Sequence, residues 1–202
     1  MNNELSAEVI LLQAAEKEFL DRGYAGARTT HIAQLAGMSH SMLHYYFRTK
    51  KQLFDKVLEN KLKVFTESVQ VFIANKDLPI LERIRAMVVS HFDKLAENKM
   101  VPRFILNELV SYPERAEYIT TVMQSFAKSF IPSFQNDLDT ACQNGEIVQI
   151  NAVNLLFDIL SVNAFTFMAM PLATQTVFND EKAYLQMRKQ ENVELIINRI
   201  KR

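Results

Sequence analysis

Residues 29–54 read TTHIAQLAGMSHSMLHYYFRTKKQLF, and this stretch decides the fold prediction. It predicts two short helices, over residues 30–36 and 40–47. Gly37 suits the left-handed position that ends the first helix, and Ser39 suits the cap that begins the second. Two short helices joined by a turn containing glycine are typical of a helix-turn-helix, whose second helix enters the major groove of DNA.

The same region has an unusual charge distribution. The whole chain carries 23 basic and 23 acidic residues, yet no Asp or Glu occurs from Arg22 through Phe54. The basic residues of that stretch are Arg22, Arg28, Arg48, Lys50 and Lys51. A surface built this way attracts phosphates. A chance gap in the acidic residues is the alternative, and charge alone does not decide between the two.

The remainder of the chain favours an all-α protein. Only 4 glycines and 5 prolines occur in 202 residues, which argues against the frequent turns of a β-sandwich. We expect about nine helices in two domains. Residues 1–50 are predicted to form the helix-turn-helix DNA-binding domain and residues 51–202 a larger helical domain, with a connecting helix at about 50–75, capped by Thr49.

One stretch, residues 152–173, is apolar enough to suggest a membrane span. It contains Asn154, Asp158, Asn163 and Pro171, and a charged residue in mid-span costs about 2.5–3.5 kcal/mol on insertion scales. We therefore interpret it as a buried helix and expect no membrane partner.

Composition also limits the chemistry. Cys142 is the only cysteine, so neither an internal disulfide nor a zinc cluster is expected. Beyond residue 80 the only histidine is His91 and the only glycine is Gly145, which leaves no metal pair and no phosphate-binding loop. The first residues lack the pattern of a secretion signal. We expect a cytoplasmic protein that is not an enzyme and holds no cofactor or metal.

The segment at 29–54 resembles the signature of the TetR (tetracycline-repressor) family of bacterial regulators. The matching residues are Thr30, Ile32-Ala33, Ala36-Gly37, Ser39, Leu43, Tyr46-Phe47, Lys50 and Leu53-Phe54. The resemblance covers about residues 5–60, and the chain length and helical remainder also suit the family. It implies a dimeric DNA-binding transcription regulator, most often a repressor, with an effector pocket in the larger domain.

The outward residues of the motif are the candidate DNA contacts. Lys50 lies in the first turn of a helix, where backbone N–H groups already attract a phosphate, and hydroxyls of Thr29, Thr30, Tyr45 and Tyr46 can donate to phosphates. Base reading needs side chains at the exposed start of the second helix. The full predicted set is Thr29, Thr30, Ser39, His40, Ser41, Met42, His44, Tyr45, Tyr46 and Lys50.

This sequence departs from the family pattern at two of these positions. Ser41 stands where glycine is usual, and His44 replaces the common tyrosine. We expect DNA binding to survive with an altered base preference. For His44, a partly buried, hydrogen-bonded histidine is the alternative.

Large adaptable apolar residues in the second domain are candidates for an effector pocket. They are Met87, His91, Phe104, Tyr118, Met123, Phe126, Phe130 and Met168. Ordinary core packing is the alternative for each of them. The pocket itself is implied mainly by the family resemblance.

The last two predicted helices carry broad apolar stripes that could pair with those of a second copy in a four-helix bundle. The candidate interface residues are Val153, Leu156, Phe157, Leu160, Ala164, Phe167, Val193, Ile196, Ile197 and Ile200. The family resemblance also implies a dimer through these helices. Two recognition helices about 34–36 Å apart can read a palindromic operator.

These observations together suggest a homodimeric repressor released from DNA by a small hydrophobic or amphipathic ligand. The alternative is a DNA- or protein-binding helical dimer without a small-molecule effector. A helical enzyme that does not bind DNA is a third hypothesis, which no sequence feature favours.

Overall fold

A computed structural model describes residues 6–202, and residues 1–5 of the predicted first domain lie outside the described residues. Nine α-helices occur in the described part, as predicted. They are α1 (Ala7–Gly26), α2 (Thr29–Leu35), α3 (His40–Tyr46), α4 (Lys50–Ala74), α5 (Ile80–Glu97), α6 (Val101–Ser111), α7 (Pro113–Gln143), α8 (Ala152–Thr176) and α9 (Glu181–Ile200).

The chain divides into two compact units at Leu62, within α4. The division by packing thus lies within α4, whereas the predicted boundary lies at its start. The first half of α4 belongs to the first unit because it packs there: the ring of Phe54 lies 4.9 Å from that of Phe19, edge to face, and Lys61 pairs with Glu16. The second unit comprises residues 63–202.

The first unit has a compact apolar core between its helices. Ile32, Ala33, Leu43, Phe47 and Leu53 are buried in it, whereas Ala36 is only half-buried. Leu11, Ala15 and Phe19 of α1 complete this core. The short helices α2 and α3 thus depend on α1 and α4 for their stability, since isolated helices of seven residues are unstable in water.

The turn and the helix starts around α3 follow the sequence prediction. The hydroxyl of Ser39 accepts a hydrogen bond from the backbone N–H of Met42 at 3.2 Å, and that of Thr49 accepts one from Gln52 at 3.1 Å. Gly37 has a φ of +66°, the left-handed conformation that glycine adopts without strain. The local sequence therefore determines where α3 and α4 begin.

The start of α2 differs from the prediction. It begins at Thr29, one residue before the predicted start, and its capping position is Arg28, without a side-chain cap. Instead the Arg28 backbone N–H donates to the Glu18 carboxylate of α1 at 3.2 Å. The other Glu18 oxygen lies 2.6 Å from His31 Nδ1 and 3.4 Å from Arg22 Nε. One buried carboxylate thus joins α1 to the first turn of α2.

Glu18 remains ionised in this position. Its side chain is only 2% exposed, and burial opposes ionisation. The hydrogen bonds from His31 and Arg28, with the charges of His31 and Arg22, outweigh burial and lower the pKa below its usual 4.5. A lowered pKa in the folded state contributes stability above pH 4.5, which is lost as the pH falls through the folded-state pKa.

We predict that Glu18→Gln destabilises the protein by about 2 kcal/mol at pH 7, because it removes charge-assisted hydrogen bonds from a buried group. Urea unfolding followed by circular dichroism measures this. The difference from the natural chain should shrink as the pH falls below 4.5. Asp21→Asn, on an exposed side chain of the same helix, is the control and should change stability by less than about 0.5 kcal/mol. Equal effects of the two substitutions would contradict this role of Glu18.

The second unit contains the largest apolar core of the described residues. The second half of α4 contributes to it together with α5, α7, α8 and α9. By length and composition, α8 is the one helix of the described residues that could cross a membrane. Its Asn163 and Thr166 are nevertheless buried and accept hydrogen bonds from Asn192 of α9. One face of α8 is therefore part of the protein core.

Candidate nucleic-acid interface

The recognition helix of the motif, α3, is almost entirely exposed. Of its seven residues only Leu43 is buried, and Phe47 directly after it is also buried. These two side chains pack α3 against the other helices of the first unit. The other six residues face solvent: His40, Ser41, Met42, His44, Tyr45 and Tyr46. No acidic residue occurs within α2 or α3, so the surface carries no charge that repels phosphate.

Hydrogen bonds order the exposed side chains at the start of α3. Thr29 Oγ1 lies 3.0 Å from His40 Nε2, which joins the first turn of α2 to that of α3. The hydroxyls of Ser39 and Ser41 are 2.9 Å apart. Thr30 is exposed beside Thr29. The structure thus places Thr29, a predicted phosphate contact, next to His40, a predicted base contact.

His44 is exposed. Its side chain is therefore accessible, and not partly buried as in the alternative interpretation. Its Nδ1 lies 3.3 Å from the carbonyl oxygen of Arg48, so Nδ1–H donates and Nε2 of the neutral ring is left as an acceptor. The ring also packs edge to face on His40, with centroids 4.3 Å apart. These contacts fix the ring orientation while one nitrogen stays available.

Tyr45, Tyr46 and Lys50 lie at the end of α3 and the beginning of α4. The side chain of Tyr45 is 81% exposed and packs edge to face on Tyr46 at 5.3 Å. Lys50 is the first residue of α4, and its ammonium lies 4.7 Å from the centre of the Tyr24 ring. Sequence reasoning missed Tyr24 and Glu18, because their roles arise from contacts between helices and not from a local pattern.

The predicted pocket residues fall into different environments. Met87, His91, Phe104 and Phe130 are buried, while Tyr118, Met123 and Phe126 are half-buried. Met168 is 37% exposed. Phe126 and Phe130 line a cavity of about 240 Å³ in the second unit. Within the described residues, no three potential metal ligands lie together.

His91 belongs to a buried polar network. Its Nδ1 accepts a hydrogen bond from Asn163 Nδ2 at 3.2 Å. Asn163 Oδ1 in turn accepts one from Asn192 Nδ2 at 3.0 Å, and the same amide donates to Thr166 Oγ1 at 3.1 Å. Burial lowers the pKa of His91 to about 4, so the ring is neutral. The network connects α5, α8 and α9 by side-chain hydrogen bonds.

The predicted dimer residues are only partly available to a partner. Six are buried in the chain's own helical packing, which corrects their assignment: Leu156, Phe167, Val193, Ile196, Ile197 and Ile200. They pack within the second unit, so charged substitutions there would test stability and not association. Leu160 and Ala164 are half-buried, whereas Val153 and Phe157 are exposed.

A different set of α8 residues forms an exposed apolar row, with spacings that keep them on one face of the helix. We call it the α8 row, and it consists of Val153, Phe157, Phe165, Met168 and Leu172. Phe157 is 63% and Phe165 67% exposed. Because α8 is apolar on both faces, the sequence pattern did not distinguish the face that meets the core from the face that meets solvent.

The architecture of the first unit defines a class of protein. Two short helices are separated by a turn with Gly37 in the left-handed conformation, and the second exposes all but one side chain without an acidic residue. This is a helix-turn-helix DNA-binding domain, joined to a larger helical domain. The protein is a DNA-binding transcription regulator.

Comparison with known proteins shows what the first unit and the chain resemble. Residues 11–57 match the family described as bacterial regulatory proteins, tetR family. The chain is also similar to the HTH-type transcriptional activator FasR of Mycolicibacterium smegmatis, at 25% identity over 149 residues that cover 73% of this chain and 68% of FasR. The first unit therefore matches the DNA-binding domain of the TetR family.

Solved structures show the same fold along nearly the whole chain. The ketosteroid transcriptional regulator KstR2 of Mycobacterium tuberculosis superposes with a TM-score of 0.70 at 17% identity, covering 98% of this chain and 96% of KstR2. AibR, in complex with isovaleryl coenzyme A and operator DNA, gives a TM-score of 0.67 at 18% identity, with 94% and 97% coverage. Both likenesses concern the fold.

Proposed function

We propose that this regulator is a cytoplasmic homodimer that represses transcription from a palindromic operator and is released by a small apolar or amphipathic ligand. The exposed, acid-free surface of α3 is the observation that carries the DNA-binding part. The AibR complex with an acyl thioester and operator DNA supports ligand control. Activation is the alternative direction of regulation, because the similar protein FasR is named an activator.

In this proposal, phosphate contacts come from both ends of the motif. Lys50 places its charge at the N-terminus of the 25-residue helix α4, where the helix dipole adds to the attraction. Hydroxyls of Thr29, Thr30, Tyr45 and Tyr46 donate to neighbouring phosphates. These contacts fix the register of the protein on DNA but carry no sequence information.

Base reading falls to the exposed first turns of α3. The His44 Nε2 atom, an acceptor in the neutral ring, suits the N4 amine of cytosine or the N6 amine of adenine in the major groove. Ser41 can donate or accept through its hydroxyl, and Met42 can contact a thymine methyl group. His40, hydrogen-bonded to Thr29, links these readers to the phosphate contacts.

Association of two copies is proposed to bury the α8 row. An exposed row of apolar side chains of this kind marks an interaction site on a soluble protein. Two copies related by a two-fold axis would each bury the same row, which a symmetric interface requires. A dimer doubles the number of recognition helices and so permits binding to a palindrome.

Ligand control is proposed to act through α4, a single helix that begins in the first unit and ends in the second. A ligand that binds better to one conformation of the second unit shifts the population toward it. Movement of the C-terminal half of α4 would then displace Lys50 and the attached recognition helix. The ligand would lower the affinity for DNA by a certain factor, and DNA would lower the affinity for the ligand by the same factor.

A gel-shift assay with the DNA upstream of the protein's own gene tests this function. We expect a retarded complex that excess unrelated DNA does not remove, and its loss when an effector is added. A thermal-shift screen with small hydrophobic compounds identifies effectors, because a ligand raises the melting temperature by mass action. If the protein bound every upstream region of the gene neighbourhood no more tightly than unrelated DNA, this result would contradict operator recognition.

We predict that Lys50→Ala weakens binding to all DNA sequences and reduces the slope of log affinity against log salt by about one unit, because one phosphate contact is lost. Fluorescence anisotropy at several salt concentrations measures the slope. Lys182→Ala, an exposed lysine of α9, should leave it unchanged. An unaltered slope for Lys50→Ala would remove this residue from the phosphate contacts.

We predict that Ser41→Gly and His44→Tyr each change the preferred bases of the half-site, because they replace groups at the major-groove surface of α3. Selection of binding sites from randomised duplexes measures the preference. Tyr45→Phe, which removes only a proposed phosphate donor, should weaken binding without changing the selected bases. If the first two variants select the natural sequence, the base readers lie elsewhere.

We predict that Phe157→Glu converts the dimer to monomers at micromolar concentration, since it places a charge in the centre of a buried apolar contact. Sedimentation velocity measures the oligomeric state. Val110→Glu is the matched control, because this α6 residue is 74% exposed and lies outside the α8 row. A Phe157→Glu protein that remains dimeric would place the interface on another surface.

A further inference from the structure

The second unit contains a cavity of about 240 Å³ between the end of α4, the start of α5 and the middle of α7. Its walls differ in chemistry, with aromatic rings on one part and charged or hydroxyl groups on another. The aromatic part includes Phe72, Phe126 and Phe130, and the polar part includes Lys76, Arg83 and Ser133. Such a cavity suits a ligand that is itself divided into an apolar and a polar part.

The apolar wall is ordered by stacking. The rings of Phe126 and Phe130 lie nearly parallel, with centroids 5.5 Å apart, and Phe72 meets Phe130 edge to face at 6.2 Å. Phe130 is buried, whereas Phe126 is half-buried and presents part of its ring. A short alkyl chain laid against these rings would remove further apolar surface from water.

Arg83 provides spare hydrogen-bond donors at the cavity. Its side chain is 9% exposed. Nε donates to the carbonyl oxygen of Phe72 at 3.3 Å, and Nη2 donates to Asp137 Oδ2 at 2.7 Å. A guanidinium carries five N–H groups, and the donors of Nη1 have no protein acceptor among the described residues. A buried cationic donor of this kind favours an acceptor with negative charge.

The charges around the cavity sum to one positive charge. Lys76 and Arg83 contribute two, and Asp137, which also lines the cavity, contributes one negative charge. Lys76 is exposed at the rim, and the hydroxyls of Ser129 and Ser133 lie on the α7 side. One anionic group therefore neutralises the site, whereas a cation would add to the excess of positive charge.

We infer that this cavity binds a small amphiphile with a single anionic head group. The head group accepts hydrogen bonds from Arg83 and Lys76, and the apolar chain lies against Phe126 and Phe130. This inference deepens the proposed ligand control and depends on it for its regulatory meaning. Binding at the site is a separate property that can be measured without DNA.

Isothermal titration calorimetry on the full chain at pH 7 tests the ligand class with three probes of equal chain length. Octanoate carries a negative charge, 1-octanol is neutral and octylamine is positive. We expect octanoate to bind about threefold or more tightly than octanol, the range for a partly exposed ion pair, and octylamine to bind most weakly. Equal or tighter binding of octanol or octylamine would overturn the anionic class.

Two exposed positions test the location without disturbing the core. Ser133→Trp places a large ring at the cavity and should abolish octanoate and octanol binding together. Lys76→Ala should weaken octanoate binding about threefold and leave octanol binding unchanged. Lys182→Ala on α9 removes an exposed lysine elsewhere and should change neither. Normal octanoate binding to Ser133→Trp would overturn this location.

A parallel gel shift separates this inference from the proposed function. If octanoate binds and Ser133→Trp blocks it, the inference stands even when the DNA complex is unaffected, and ligand control by this class then fails. If another compound releases DNA equally from the natural chain and Ser133→Trp while octanoate does not bind, ligand control stands and the inference is overturned.

Discussion

The exposed surface of the helix-turn-helix depends on one buried carboxylate. Glu18 of α1 accepts the first backbone N–H at the start of α2 and a bond from His31. The helix α2 has seven residues and no side-chain cap of its own, so this interaction replaces the missing cap. Because Thr29 of α2 is hydrogen-bonded to His40 of α3, the position of the recognition helix follows from that of α2. A buried ion pair thus orients the side chains that are proposed to contact DNA.

The features predicted correctly from sequence are those determined within a few residues. Gly37 supplies a left-handed turn, and Ser39 and Thr49 cap the helices that follow them. Each depends on the chemistry of one side chain and the backbone beside it. The helix-turn-helix and its exposed residues followed from these local signals, and the family resemblance added the assignment of the outward face.

The features that sequence did not reveal depend on contacts between distant segments. Leu156 and Phe157 are adjacent and both apolar, yet one is buried in the core and the other is exposed. On a helix that is apolar all round, periodicity carries no information about which face meets the core. Glu18 and Arg83 were overlooked because charged residues are expected at the surface. Such residues are rarely buried unless partners from other helices compensate their charge.

The hydrogen bonds of Asn192 restrict how the second unit can move. Its amide donates to Val162, Asn163 and Thr166 of α8, while its oxygen accepts from Arg188. Sliding α9 along α8 by one helical turn, about 5.4 Å, would separate this amide from every acceptor on α8 and leave several buried polar groups unpaired at once. The two helices therefore move as one rigid pair, and any conformational change within the second unit has to occur around that pair, by rearrangement of α4 to α7.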